Sequence, residues 1–229
     1  MDKKTNKFFQ WFPIFTKKFW KQYTWKDFVI NLSIYFIFFA VTLLIDLLTK
    51  HYLFKYTVNE QNEIVVQSGV IYQNALFGFR SVKHAGTTIE IGLTNVGLHI
   101  VSFIIIIVTL SVSFLFKDKK NRWIIPFLAL LSGGAMGNMV DRFLFDFVRD
   151  IVFLPWIDTG TFNYADAWLV IGAIGTVISG LTIYIINWRN EKKEKQQKLE
   201  QEKQNDEQWS DLSFNSEQSS NIVDPNNDI

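Results

Sequence analysis

FVINLSIYFIFFAVTLLIDLL, residues 28–48, is the stretch that decides the fold class. It stays apolar for about the 20 residues a helix needs to cross a hydrocarbon core. Three further runs follow: VGLHIVSFIIIIVTLSVSFLF (96–116), WIIPFLALLSGGAMGNMV (123–140) and AWLVIGAIGTVISGLTIYIINW (167–188). The third is weaker, interrupted by Pro126 and by small residues. β-Branched residues are frequent, but the lengths favour helices over buried strands. A span in lipid must also satisfy its own backbone polar groups, as a helix does. The first run starts after residue 27 and ends in Asp46 and Lys50 with no small-residue cleavage site. It reads as a retained helix, not a removed signal peptide. The expected fold is a mainly α membrane protein with four transmembrane helices.

Composition agrees with this reading. Of 229 residues, 48% are hydrophobic and 16% aromatic, with 22 Phe and 8 Trp. The mean hydropathy is only +0.11, because long polar ends dilute the spans. A net charge of +1 gives no global field for nucleic acid. There is no cysteine, so disulfides, thiol nucleophiles and Cys-ligated metals are excluded. His51, His84 and His99 are scattered and no HExxH occurs, so neither a metal nor a cofactor is expected.

Positive charge sets the orientation. Lys3, Lys4, Lys7, Lys17, Lys18, Lys21 and Lys26 precede the first run, KDKKNR (117–122) follows the second, and WRNEKKEK (188–195) follows the fourth. Four alternating helices place these three segments on one side, and the positive-inside rule makes that side cytoplasmic. Both termini are then cytoplasmic in a multi-pass plasma-membrane protein, and segments 49–95 and 141–165 face outward. The chain divides into a basic-aromatic arm (1–27), a membrane domain (28–188) and a charged tail (189–229). In the arm, Phe8, Trp11, Phe12, Phe15 and Phe19 suit an interfacial helix, or an irregular anchor given Pro13. The outer segment 49–95 alternates in places and is punctuated by Gly69, Gly78, Gly86 and Gly92, which predicts a small β-sheet beside the bundle. Residues 190–204 suit a solvated extension of the last helix. Residues 205–229 carry acids without Lys or Arg and are expected to be disordered.

Two outer aspartates stand out. Asp150 follows GGAMGNMVDR (133–142) across a short connector, and Asp166 opens the last run within FNYADAW (162–168). A carboxylate at a bilayer edge is costly unless protonated, paired or solvated. If the two meet, they share one proton and can activate water. Equally, Asp166 suits a helix N-terminus and Asp150 a pairing with Arg149 or Arg142. Asp146 and Asp158 are nearby competitors. Asn138, Asp141 and Arg142 share one helical face, a polar cluster that either serves a site or anchors the helix end. Gly133, Gly134, Ala135 and Gly137 thin that helix and let a neighbour or a substrate approach. Asn163 either donates to a carboxylate or simply turns the chain into the last helix. Asp46 and Lys50, four apart, form a self-neutralising pair. His84 is the histidine nearest the outer site in topology, though a loop histidine is most often a surface residue.

At these residues the chain resembles the lipoprotein signal peptidases, the signal peptidase II family of membrane aspartyl endopeptidases. The resemblance spans most of 40–185 and rests on DLLTK (46–50), VKHAGTTI (82–89), GGAMGNMVDR (133–142), RDIVF (149–153) and FNYADAWLVIG (162–172). It implies four helices with a small extracytoplasmic β-cradle, and cleavage before the diacylglyceryl-modified cysteine of a prolipoprotein. It implies Asp150 and Asp166 as the catalytic pair. Asn138, Arg142 and Asn163 become supporting and substrate-holding residues, Asp141 a structural aspartate, and Asp46 and Lys50 the polar pair of the first helix. The family's outer-loop motif usually reads Asn-x-Gly-Ala-Ala-Phe; aligning on Gly86 puts His84 at the asparagine. A competing placement uses QNALFGF (73–79).

The reaction expected is metal-free, water-activated peptide hydrolysis at the outer membrane boundary. Its partners would be lipid-modified prolipoproteins and membrane lipids, and the enzyme would act as a monomer. A proton-coupled carrier is the rival class, but four spans without an inverted repeat are few. A non-enzymatic scaffold built on the charged ends is another. A serine protease is disfavoured, since Ser132 lacks a histidine on its side of the bilayer.

Overall fold

A computed structural model of the chain describes residues 21, 24–67, 69–84, 94–157 and 160–220, without the side chains of 206–208 and 210–220. The expected arm helix over 8–20, Gly86 and Asp158 lie outside the described residues. Four helices are long and apolar enough to cross a membrane. They are α1 (Trp25–Leu53), α2 (Asn95–Ser113), α3 (Ile125–Phe145) and α4 (Tyr164–Ser220). Between them run β1 (Tyr56–Val58), β2 (Ile64–Val66), β3 (Val70–Gln73), β4 (Gly78–His84), β5 (Val148–Phe153) and β6 (Thr161–Phe162).

Local chemistry explains the helix ends. α1 begins three residues before the apolar run because Thr24 and Asp27 form a reciprocal capping box. Asp27 also pairs with Arg122, which ties the start of α1 to the connector before α3. Pro126 sits in the first turn of α3, where its missing N–H costs nothing. α3 ends at Asp146, a left-handed cap with φ 62° whose N–H donates to Arg142 O at 3.0 Å. Asp146 thus terminates a helix and is no rival for the site.

The weakest apolar run is the central helix. Within α3's span 61% of residues are buried, against 11–22% for the other three spans. A helix enclosed by protein needs small faces rather than a lipid-facing coat. A Cβ at Gly133 would strike Thr42 of α1, and one at Gly137 would strike the Asp46 carboxylate and lie 3.1 Å from Ala165 Cβ. A Cβ at Gly134 would lie 2.9 Å from Leu169 of α4. Midway along, Ser132 is fully buried and hydrogen-bonded to Tyr35 of α1 and Thr109 of α2. That hydroxyl is a packing contact, not a nucleophile.

The sheet sits at the end of the bundle where α1 and α3 finish and α2 and α4 begin. β1 and β2 form a hairpin, and β3-β4-β5-β6 form an antiparallel sheet in that order. β5 is central, and every residue in it is buried. Phe54, Phe147, Ile151 and Val152 make the apolar cluster that seats this sheet on the helices. QNALFGF is the β3–β4 turn, closed by Asn74 Oδ1 accepting from the Leu76 and Phe77 amides, each at 2.8 Å. Among the described residues of 49–95 the strands run between 56 and 84, and α1 extends to Leu53.

The chain from Leu181 forms a second compact unit. It is helical to Ser220, and its described side chains from Tyr184 to Asn205 are all exposed. Residues 205–220, expected to be disordered, are helical in the structure. Glu, Gln, Lys and Leu in 191–203 favour helix, and the helix runs on from there through a stretch rich in Ser, Asn and Asp.

Gly137→Ala tests the contact between α1 and α3. It should destabilise the protein by about 1–3 kcal/mol through overpacking. Gly180→Ala, whose Cβ would meet nothing within 4 Å, should be neutral or slightly stabilising. Thermal unfolding of both variants in detergent distinguishes the two outcomes.

Candidate active site

Lys50, Asp46, Asp141 and Asp150 are all essentially without solvent access, and so is Asn163. They lie where α1, α3, β5 and α4 converge, and each has partners. Lys50 Nζ is 2.7 Å from Asp46 Oδ2, 3.2 Å from Asp141 Oδ2 and 3.3 Å from Asn138 Oδ1. Asp46 Oδ1 in turn accepts the Ala165 amide at 2.8 Å, which seats the first turn of α4 on α1.

Asp141 fixes β5. It accepts from the Arg149 backbone N at 2.9 Å, from Nε at 3.1 Å and from a terminal guanidinium nitrogen at 2.7 Å. The Arg149 guanidinium also lies over the Phe145 ring at 4.4 Å. Neighbouring residues in a strand point to opposite faces. Seating Arg149 on Asp141 therefore turns Asp150 the other way, toward α4. The alternative pairing of Asp150 with Arg149 is not made, and adjacency within a strand is the reason.

Asn163 joins the two aspartates. It caps α4: Asp166 N donates to Asn163 Oδ1 at 3.0 Å, and Asn163 N donates to Asp166 Oδ2 at 3.3 Å. With its oxygen held by that amide, its side-chain nitrogen is left to donate to Asp150 Oδ1, at 2.8 Å. Asn138 repeats the device, accepting from Lys50 and donating to Asp166 Oδ1 at 2.7 Å. Arg142 Nη1 reaches Asn138 O at 3.4 Å, and its charge acts on Asp166, Asp141 and Asp150. The turn reading of Asn163 and the cap reading of Asp166 both hold; Asn163 also bonds Asp150, and the Asp166 charge acts on it.

The strand register adds His84. Val82 pairs with Asp150 and His84 with Val148, so His84 is the diagonal neighbour of Asp150 on one face. His84 Nδ1 lies 3.5 Å from Asp150 Oδ2. Burial pushes the Asp150 carboxyl up to about 7, and the Asp166 charge adds to the rise. The Asn163 hydrogen bond and the charges of His84 and Lys50 offset part of it. Two acids, one buried and one half-buried, with donors fixed on both, are suited to sharing a proton and polarising water.

A model of the signal peptidase (SPase) II family matches residues 37–182. The chain belongs to this family. Among its relatives is a lipoprotein signal peptidase of Streptococcus thermophilus, 28% identical over 51% of this chain and 71% of that protein. Another, from Clostridium tetani, is 27% identical over 66% of this chain and 90% of its own length. A solved bacterial membrane enzyme matches with a TM-score of 0.52 at 23% identity, over 66% of this chain and 88% of that one, which supports the fold. The signal peptidase II match contains every described residue of the polar network from Asp46 to Asp166.

Arg149 supports the site through Asp141, a role the sequence did not assign it; the sequence offered it only as one alternative partner of Asp150. The usable signal was its place directly before Asp150 in a strand, which forbids the two from sharing a face. Removing the charge of Lys50 should be severe. Lys50→Met leaves Asp46 and Asp141 short of a buried cation and should cost about 3–5 kcal/mol. Adding Asp46→Asn should recover part of that loss, which paired unfolding measurements on single and double variants would register.

Proposed function

We propose that this membrane protein is an aspartyl endopeptidase that removes signal peptides from diacylglyceryl-modified prolipoproteins, cutting before the lipidated cysteine. Family membership supports the substrate class. The observation that carries the mechanism is the Asn163 bridge, which aims one amide at Asp150 and caps with Asp166.

In this reading Asp150 and Asp166 are the catalytic residues and hold one proton between them. Asp150 carries it, because burial and the neighbouring charge both favour its neutral form. Asp166, whose two oxygens already accept from Asn138 and Asn163, is the acceptor. Asp166 takes a proton from water as the oxygen attacks the scissile carbonyl carbon, and Asp150 protonates the carbonyl oxygen. Asp150 then takes back a proton from a hydroxyl of the tetrahedral intermediate, Asp166 gives its proton to the amide nitrogen, the C–N bond breaks and the amine leaves. Asn138, Asn163 and Arg142 orient the pair and the peptide. Charge balance favours a single shared proton: Lys50 and Arg149 offset Asp46 and Asp141, and Arg142 offsets one charge of the dyad.

The lysine-rich segments support cytoplasmic termini and a site at the outer face. The apolar sides of the helices leave the substrate's acyl chains in lipid, and one chain suffices for the site.

Incubating the purified protein with a diacylglyceryl-cysteine peptide and with its unlipidated twin tests the reading. Only the lipidated peptide should be cut. Asp150→Asn and Asp166→Asn should each lower cleavage by at least about 100-fold while still accumulating in membranes; normal processing by either variant would refute its role. Cleavage should also fall as pH rises through about 7, where Asp150 loses its proton. A rate that holds level well above neutrality would contradict the assignment of Asp150 as the acid.

A further inference from the structure

The mechanism leaves His84 unused, yet the fold holds it against the buried acid. Antiparallel pairing of β4 with β5 sets Val82 opposite Asp150 and His84 opposite Val148, so rigid sheet geometry, not a loose loop, brings the ring there. Nδ1 stands 3.5 Å from Asp150 Oδ2, the oxygen that Asn163 does not occupy. That distance is long for a hydrogen bond and close for an ion pair. The ring is 32% exposed and the Asp150 side chain 3% exposed. His84 therefore reaches water, while the acid beside it does not.

We propose that His84 is a positioning residue for the proton of the aspartate pair, its charge setting the pH at which Asp150 gives that proton up. The inference rests on the reading of Asp150 as the acid. An imidazolium beside Asp150 stabilises its ionised form, and a neutral ring does not. Histidine changes charge within the range where the pair works. Other groups among the described residues also act on Asp150. Lys50 approaches from α1, Arg142 from α3, and Asp166 with Asn163 from the start of α4. Arg149, on β5 itself, is engaged by Asp141, and Lys83, next to His84, lies over the Phe147 ring at 4.7 Å. His84 is the histidine of this set, and it is partly exposed. It couples the buried acid to the pH of the outer medium.

The test is the pH profile of kcat/KM for a lipidated peptide, measured for the native protein, His84→Asn and His84→Lys. Asparagine keeps a compact donor without the charge; lysine keeps the charge at every working pH. The alkaline limb should move up in His84→Asn and down in His84→Lys, each by up to about one pH unit, with the native protein between them. A role in packing alone would scale the whole profile without moving its limb. Should the lysine variant fail to accumulate, the native and asparagine proteins still decide the matter. An unmoved limb in His84→Asn, or one displaced downward, overturns the proposal. Full activity in Asp150→Asn would instead overturn the assignment of Asp150, so the two failures are distinguishable.

Discussion

A lysine with no access to solvent holds this membrane domain together. Lys50 Nζ lies within 3.3 Å of groups from Asp46, Asp141 and Asn138, which brings two helices into one polar knot. An ammonium buried this deeply is tolerable only if its charge is matched and its donors are used. The match comes from Asp46, which also receives the first turn of α4, and from Asp141, which also receives Arg149 of β5. Four elements thereby meet at one place. The knot is adjacent to Asp150 and Asp166, and Asn138 bonds both Lys50 and Asp166.

The two aspartates have different environments because different elements carry them. Asp150 comes from the central strand of a sheet seated on an apolar cluster, so it is dry. Asp166 comes from the capped first turn of a helix, half-buried and already surrounded by donors. Asymmetry of this kind separates an acid from a base. Asn163 is the element common to both, a capping residue whose remaining amide hydrogen bond is aimed at the other carboxyl.

Much of this is legible in the sequence because it depends on length, polarity and spacing. Four spans follow from apolar runs, and the Asp46–Lys50 pair follows from a four-residue interval. The grouping of Asn138 with Asp141 and Arg142 follows from helical periodicity, although Asp141 serves Arg149 and Lys50. What spacing could not supply was the β register. The position of His84 beside Asp150 depends on which residues of β4 and β5 pair, two strands far apart along the chain. Neither could local composition foresee that the helix would continue from Asn205 to Ser220, since both net charge and the many Ser, Asn and Asp residues weigh against it there.

Infrared titration of the carboxyl C=O band in the purified protein tests the central claim most directly. The account predicts one protonated carboxyl that disappears as pH rises through about 7, and whose band is missing in Asp150→Asn. A band that persists in that variant, or no carboxyl titrating near neutrality, would contradict the proposed shared proton.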